Sequence, residues 1–235
     1  MKFHKMINVY KNVYAFITPS EFLKKKLSLN GFEEKRIHCI PTFTASKTTI
    51  GKQQIGSYGL YFGRVTEEKG VETVIKAYEK LPEYTVKIMG DDTTDEAKRL
   101  KKYVENHKMK NVEFLGFKSG AELENVIKGA RFTLIPSIWY DNLPNTALES
   151  FQYSKPVIAS NIGSLPELVI DGENGYLFKP SNVEDLIKKI KMLDDDTLVK
   201  KMGQASRKRL ESRFAPQTHY EDLMKIFNEA VKSRK

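Results

Sequence analysis

Three stretches of the chain carry side chains whose types and spacing suit a phosphate-bearing, hydroxyl-rich ligand. In Gly63-Arg64-Val65-Thr66-Glu67-Glu68-Lys69-Gly70 two cations follow a glycine that lets the backbone turn tightly. Arg64 and Lys69 would stand at the mouth of a helix whose dipole already favours an anion, and a diphosphate is the natural guest. Neither the GxGxxG order of a dinucleotide fold nor the GxxxxGK[ST] order of a P-loop is present. An alternative therefore stays open, in which both cations only neutralise Glu67 and Glu68 on a surface turn.

The second stretch runs from Pro136 to Glu149 and includes Asp141-Asn142-Leu143-Pro144-Asn145-Thr146. Asp141 falls in a loop, and Glu149 falls about one turn inside the helix that follows. Two carboxylates can then face one cleft from different depths. Asn145 and Thr146 begin that helix, where unpaired N–H groups can receive phosphate oxygens. A carboxylate accepts two parallel hydrogen bonds from a diol, which suits Glu149 for a ribose. The competing reading has Asp141 organise the turn and Glu149 pair with a lysine. The third stretch is 160–168, where Gly163 permits close approach and Glu167 follows Pro166 at a short helix start. Alone it also reads as an ordinary turn between strand and helix. His4, His38, His107 and His219 are scattered, and none is assigned to catalysis.

Short apolar runs and amphipathic stretches alternate so as to position these loops. Strands are expected at 58–62, 84–89, 112–115, 132–135, 157–159 and 176–178, with helices at 71–81, 95–107, 121–128 and 146–153 between them. The fold class is α/β: repeated βα units of this length imply a parallel, Rossmann-like sheet with helices on both faces. Ligands of such sheets bind beyond the carboxyl ends of the strands. Ahead of this block, 13–17 and 37–40 read as strands flanking a helix that Ser20 caps and Gly31 ends. Residues 183–193, 195–213 and 216–233 read as helices. In the last of these Tyr220, Leu223, Met224, Phe227 and Val231 form one apolar stripe, to be covered either by this domain's own sheet or by a neighbour.

Composition narrows the function classes. The 235 residues are 40% hydrophobic, enough for one substantial core. Lys and Arg total 39 against 30 Asp and Glu, a net charge of +9 spread along helix faces, which reads as solvated surface more than as a nucleic-acid footprint. No zinc-spaced Cys/His cluster, aromatic RNA-binding stripe or helix-turn-helix accompanies it. Cys39 is the single cysteine, so no internal disulfide forms and a cytoplasmic address is expected. The apolar run 13–17 is too short for a signal sequence, and no window approaches the ~20 apolar residues of a membrane span. Asp91-Asp92 and Asp194-Asp195-Asp196 are unspaced and read as turns or caps, so no metal site is expected.

Taken in order, the loops resemble a known family. Tyr61-Phe62-Gly63-Arg64 with Glu68-Lys69-Gly70, Pro136-Ser137, 141–149, Lys155-Pro156-Val157-Ile158-Ala159-Ser160, Gly163, Pro166-Glu167-Leu168-Val169 and 171–178 are similar to the C-terminal domain of the group 1 retaining glycosyltransferases, glycosyltransferase family 4. The resemblance runs from about Phe16 to Phe214 and implies one half of a GT-B arrangement. It implies that Gly63, Arg64 and Lys69 grip the diphosphate of a UDP-, GDP- or ADP-sugar donor. Glu149 would hold the ribose, and backbone amides around Asn142, Leu143, Pro144, Asn145 and Thr146 would add phosphate contacts. Asp141 occupies the first acidic place of the E-x7-E signature, where a Glu ordinarily reaches the transferred sugar; this is the implied catalytic residue, one methylene shorter. No metal or other cofactor is implied. The acceptor would be a saccharide or glycolipid hydroxyl, with peripheral contact at the inner membrane face.

By the same resemblance, 1–41 is a residual crossover segment from an N-terminal acceptor-binding domain and 58–214 the donor domain; 42–57, poor in apolar residues, reads as a linker or loop, and 215–235 as a C-terminal helix that either packs on this domain or crosses to the other. The expectation is a donor half that binds its nucleotide sugar but transfers slowly or not at all without a separate acceptor-binding partner.

Overall fold

The computed structural model describes residues 9–44 and 54–233. Its main sheet has six strands: β3 (Tyr58–Phe62), β4 (Thr85–Met89), β5 (Val112–Gly116), β6 (Ala130–Ile135), β7 (Val157–Ser160) and β8 (Gly175–Phe178). They lie in the order β5-β4-β3-β6-β7-β8, and all the pairings are parallel. Because both faces are covered, the strands are nearly continuous apolar runs. Successive residues nonetheless serve opposite layers. Tyr61, Ile88 and Leu134 pack into one cluster with Val74, Tyr78, Leu186 and Ile190, while Leu60, Phe62 and Met89 join Ile127 and Tyr153 on the other side.

The covering helices follow from the spacing of their apolar residues. In α2 (Val71–Glu79) Val71, Val74, Ile75 and Tyr78 recur at three- and four-residue intervals and are all buried. Thr94 accepts from the amide of Ala97 at 3.1 Å to start α3 (Asp95–Asn106). After α4 (Gly120–Gly129) the chain returns to the middle of the sheet, and α5 (Asn145–Gln152) buries Ala147, Leu148 and Phe151. A single turn, α6 (Leu165–Leu168), precedes β8, and α7 (Val183–Lys191) and α8 (Asp196–Arg213) close the unit. Asp195 caps α8 by accepting from Thr197 and Leu198.

The connectivity decides where a ligand belongs. From β3 the chain winds outward through β4 to β5, then crosses back to β6 and winds the other way. The switch point between β3 and β6 opens a crevice at their carboxyl ends, and the 63–70 and 136–144 loops leave from there.

Two pieces flank this unit. β1 (Phe16–Thr18) and β2 (Ile37–Cys39) form a separate two-stranded parallel sheet, with α1 (Glu21–Leu29) between them in sequence. β1 starts later than the sequence pattern predicts because Arg36 takes the carbonyls of Tyr10 and Tyr14. Most of the expected linker, 45–53, lies outside the described residues. The last helix, α9 (Pro216–Lys232), leans on residues 41–44 through a 2.7 Å contact between His219 Nδ1 and the Pro41 carbonyl. Its predicted stripe is largely uncovered: Tyr220, Phe227 and Val231 are exposed, and Ile226, outside the stripe, is the buried residue. Among the described residues no helix is long and apolar enough to cross a membrane.

Candidate functional site

The two loops at the switch point are held together at several points. Gly63 has φ +145, and its N–H donates to the Met89 carbonyl at 2.9 Å. Tyr61, buried beneath the loop, donates its hydroxyl to the Arg64 carbonyl. Gly70 has φ +68 and lies so close to the Pro136 carbonyl that a Cβ there would approach its oxygen to 2.1 Å. The Ile138 amide donates to the Glu68 carbonyl at 3.0 Å. The cations of the first loop are thereby brought to the start of the second.

Two adjoining cavities result, sharing Phe62, Gly63, Arg64 and Thr146 as a common wall. The first, about 300 Å³, is closed by Met89, Gly90, Asp91, Phe117, Lys118, Leu123 and Glu149. Its walls are mostly apolar, with two carboxylates, of which Asp91 is engaged by Thr93 and Glu149 is not paired among the described residues, a suitable setting for a flat ring joined to a diol. The second, about 230 Å³, adds Tyr61, Lys69, Ser137, Asp141, Pro144 and Asn145. Arg64 and Lys69 outnumber Asp141 there, so its charged lining is net positive, whereas Arg64 and Lys118 are balanced by Asp91 and Glu149 in the first. Asn145 and Thr146 occupy the first turn of α5, where backbone N–H groups have no partner within the helix.

The structure therefore separates what the sequence placed in one cleft. Glu149 faces the first cavity, Lys69 and Asp141 face the second, and Arg64 borders both. Burial raises the pKa of Glu149, and no neighbouring charge or hydrogen bond contributes. That is not the lysine-paired surface carboxylate of the competing reading. Arg64 is largely exposed and only 3.8 Å from Glu68, so charge neutralisation on the turn accounts for part of its setting. Lys69 behaves differently: its Nζ lies 2.6 Å from Asp141 Oδ1, and both side chains are largely buried.

The intervening residues divide among several tasks. Asn142 turns its Oδ1 towards the N-terminal piece, accepting from Ser20 Oγ at 3.1 Å. Leu143 adopts φ +56, buries its side chain and donates its amide to Ser164 Oγ at 2.7 Å, so that N–H is engaged within the protein. Pro144 has no N–H to offer and precedes α5 as its cap. Of the amides the sequence put forward for phosphate, Asn145 and Thr146 are the ones presented at a cavity.

Several contributors carried no assignment from the sequence. Ser137, fully buried, donates to Asp141 Oδ2, and Trp139 Nε1 donates to Oδ1 at 3.2 Å. Ser164 Oγ donates to the Asp141 carbonyl at 2.7 Å. A serine at the end of a buried strand followed by an Asp is a pattern that could have flagged the first of these. Gly163 packs on the Tyr140–Asp141 backbone, where a Cβ would stand 3.2 Å from the Asp141 carbonyl oxygen. Phe117 stands exposed at the rim of the first cavity. Glu167 belongs to neither cavity: its carboxylate accepts from the amides of Glu21 and Phe22 at the start of α1.

Comparison with known proteins identifies the family. The family model described as "Glycosyl transferases group 1" matches residues 46–209. An uncharacterized glycosyltransferase of Methanocaldococcus jannaschii is 30% identical over 174 residues, covering 74% of this chain and 48% of that protein. Glycogen synthase of Mycobacterium tuberculosis is 31% identical over 186 residues, covering 75% of this chain and 42% of the synthase. The chain thus spans about half the length of these curated relatives, or less. Among solved structures, a glycosyltransferase from Rickettsia africae superposes with a TM-score of 0.88 at 21% identity, covering 98% of this chain and 67% of that one. Anabaena HepE in complex with UDP-glucose gives 0.81 at 19% identity, covering 98% and 67%. At such identities the structural likeness speaks for the fold alone, which is the Rossmann-like half of the GT-B glycosyltransferases.

Proposed function

Since this chain belongs to the group 1 glycosyl transferases, we propose that its two cavities form the donor site of a retaining, family 4 enzyme that takes its sugar from a nucleoside diphosphate. One observation carries this reading: an apolar cavity with an unpaired carboxylate shares a wall with a cationic cavity at a helix start. The base lies against Phe117, Met89 and Leu123, and Glu149 accepts from the ribose hydroxyls. Gly63, Arg64, Lys69 and the amides of Asn145 and Thr146 surround the diphosphate. UDP is the first donor nucleotide to try, because UDP-glucose is bound in a fold relative.

In the reaction the anomeric C–O bond breaks and its electron pair passes to the diphosphate oxygen. An acceptor hydroxyl bonds to the same face of the sugar and passes its proton to the diphosphate oxygen that is leaving. Negative charge grows on the leaving group, and groups aimed at that charge supply most of the catalysis. Arg64, Lys69 and the α5 N-terminus are such groups, and with them the transfer runs without a metal ion. Asp141 stands at the sugar end of the diphosphate. A saccharide or lipid-linked hydroxyl is the acceptor, held by a separate acceptor-binding domain; a cytoplasmic setting fits a chain with one cysteine, and a lipid-linked acceptor would bring it to the membrane surface. The exposed stripe of Tyr220, Phe227 and Val231 supports a second reading, a nucleotide-sugar-binding subunit that needs a partner protein to transfer.

Calorimetry of the 235-residue chain with UDP-, GDP- and ADP-sugars tests the donor site. One of the three is expected to bind in the micromolar to millimolar range, with binding weakened by Arg64→Ala and by Glu149→Ala. No heat from any donor at millimolar concentration would sink the proposal.

A further inference from the structure

We infer that Ser137 and Asp141 act together as positioning residues for Lys69, fixing its ammonium group at the diphosphate cavity. The inference rests on the donor-site reading above and assigns to Asp141 a task on the protein side of the site.

Both oxygens of the Asp141 carboxylate are occupied. Oδ1 accepts from Lys69 Nζ at 2.6 Å and from Trp139 Nε1 at 3.2 Å, and Oδ2 accepts from Ser137 Oγ. Asp141 is 8% exposed and Ser137 is not exposed at all, so solvent competes little for these bonds. The backbone beneath them is equally constrained. Ser164 Oγ bridges the Asp141 carbonyl and the Leu143 amide, each at 2.7 Å, and Gly163 presses against the Tyr140–Asp141 peptide. The Ile138–Glu68 bond and the close approach of Gly70 to Pro136 fasten the lysine's loop to the carboxylate's loop.

A lysine side chain has four rotatable bonds and loses much rotamer entropy when a ligand fixes it. In this protein that ordering is already done before a nucleotide arrives. An ammonium offers three N–H donors. One is directed to Asp141, leaving two for phosphate oxygens in a cavity that Lys69 itself lines. Ser137 and Trp139, by donating into the carboxylate, hold it where it can orient the lysine and draw its charge away from the approaching anion.

The test is a double-mutant cycle read with two ligands: the best-bound of UDP, GDP and ADP, and the corresponding nucleoside. Calorimetry on the full chain would compare the unmodified protein with Ser137→Ala, Lys69→Ala and the double variant. Ser137→Ala is expected to weaken the nucleoside diphosphate by about three- to tenfold and to leave the nucleoside unchanged. In the Lys69→Ala background the same change is expected to have no further effect, because its route to the ligand is gone. Equal losses for both ligands, an undiminished loss without Lys69, or tighter diphosphate binding would each overturn the inference. The last would show that Asp141 competes with the ligand. Should Ser137→Ala fail to fold on a thermal melt, Ser137→Cys, which keeps the size but replaces the hydroxyl by a weak donor, decides the matter in the same two backgrounds by the same criteria. If none of the three nucleotides binds the unmodified chain, the donor reading falls first and this inference with it. Binding that ignores Ser137 overturns the inference alone.

Discussion

Glu149 shows how a single residue can be set against the stability of its own fold. Burial raises its pKa with no charge or hydrogen bond to offset it, so the fold holds a carboxylate that water would solvate better. A proton binds the folded state more tightly than the unfolded one. The stability that proton confers is complete below the ordinary value of 4.5 and is lost as pH climbs through the raised folded value. Glu149→Gln removes that loss. At pH 7 the variant is expected to melt at a higher temperature than the parent, and the gap should close below pH 4.5. The same change removes a charged acceptor from the ribose and should weaken nucleoside binding by about 1.5–3 kcal/mol. Thermal scans at the two pH values, paired with calorimetry, check both halves. A melting point lowered at pH 7 would contradict the burial argument. Stability gained and affinity lost together is the pattern expected when a group serves a ligand.

At the scale of elements, the sequence was most informative where one residue's environment is set by its neighbours in the chain. The apolar spacing of α2, the Ser20 cap of α1 and the Asp195 cap of α8 are all local, and all three helices form where the pattern places them. Loop chemistry was legible in part. The types of Arg64, Lys69, Asp141 and Glu149 pointed to a phosphate and a ribose, but their partition between two cavities depends on how β3 and β6 meet, which no local pattern encodes. Lys155 was legible only as one letter in a motif. It is buried to 1% exposure between α5 and β7, and its ammonium donates to the carbonyls of Gln54, Lys128 and Ala130 at 2.6–2.7 Å. Those carbonyls belong to the approach to β3, to α4 and to β6, so three elements converge on one side chain. Burial pulls its pKa down to about 8, which leaves it charged at neutral pH with three N–H groups for three acceptors. Lys155→Met keeps the length of the side chain and strands all three carbonyls. We expect a loss of about 3–5 kcal/mol in urea denaturation at pH 7. A loss under about 1 kcal/mol would mean that water replaces the ammonium without difficulty.

For the molecule as a whole, the open question is how firmly the N-terminal piece of β1, α1 and β2 is seated on the six-stranded unit. Among the described residues, contacts on two sides hold it. On the far side Thr44 donates to the Phe214 carbonyl at 3.2 Å, and His219 packs against Phe43 with ring centroids 4.7 Å apart. On the site side Glu167 accepts from the amides of Glu21 and Phe22 at 2.8 and 2.7 Å, while Phe22 packs on Tyr140 at 4.9 Å and Ser20 reaches Asn142. A carboxylate on the first two amides of a helix satisfies orphan donors and meets the positive end of the helix dipole. No residue of α1 is fully buried, so polar clamps weigh more for it than packing does. Glu167→Ala should therefore free α1 without loosening the six-stranded core, whose apolar clusters do not include it. Hydrogen exchange read residue by residue is the decisive measurement. The amides of Glu21 and Phe22, and those of the next turn, are expected to exchange at least about tenfold faster, which corresponds to the loss of one charge-assisted hydrogen bond or more. Protection in β3, β4 and β6 should stay as it was. If protection fell throughout the sheet as well, the N-terminal piece and the α/β unit would have to be regarded as one cooperative body, with Glu167 as part of its core.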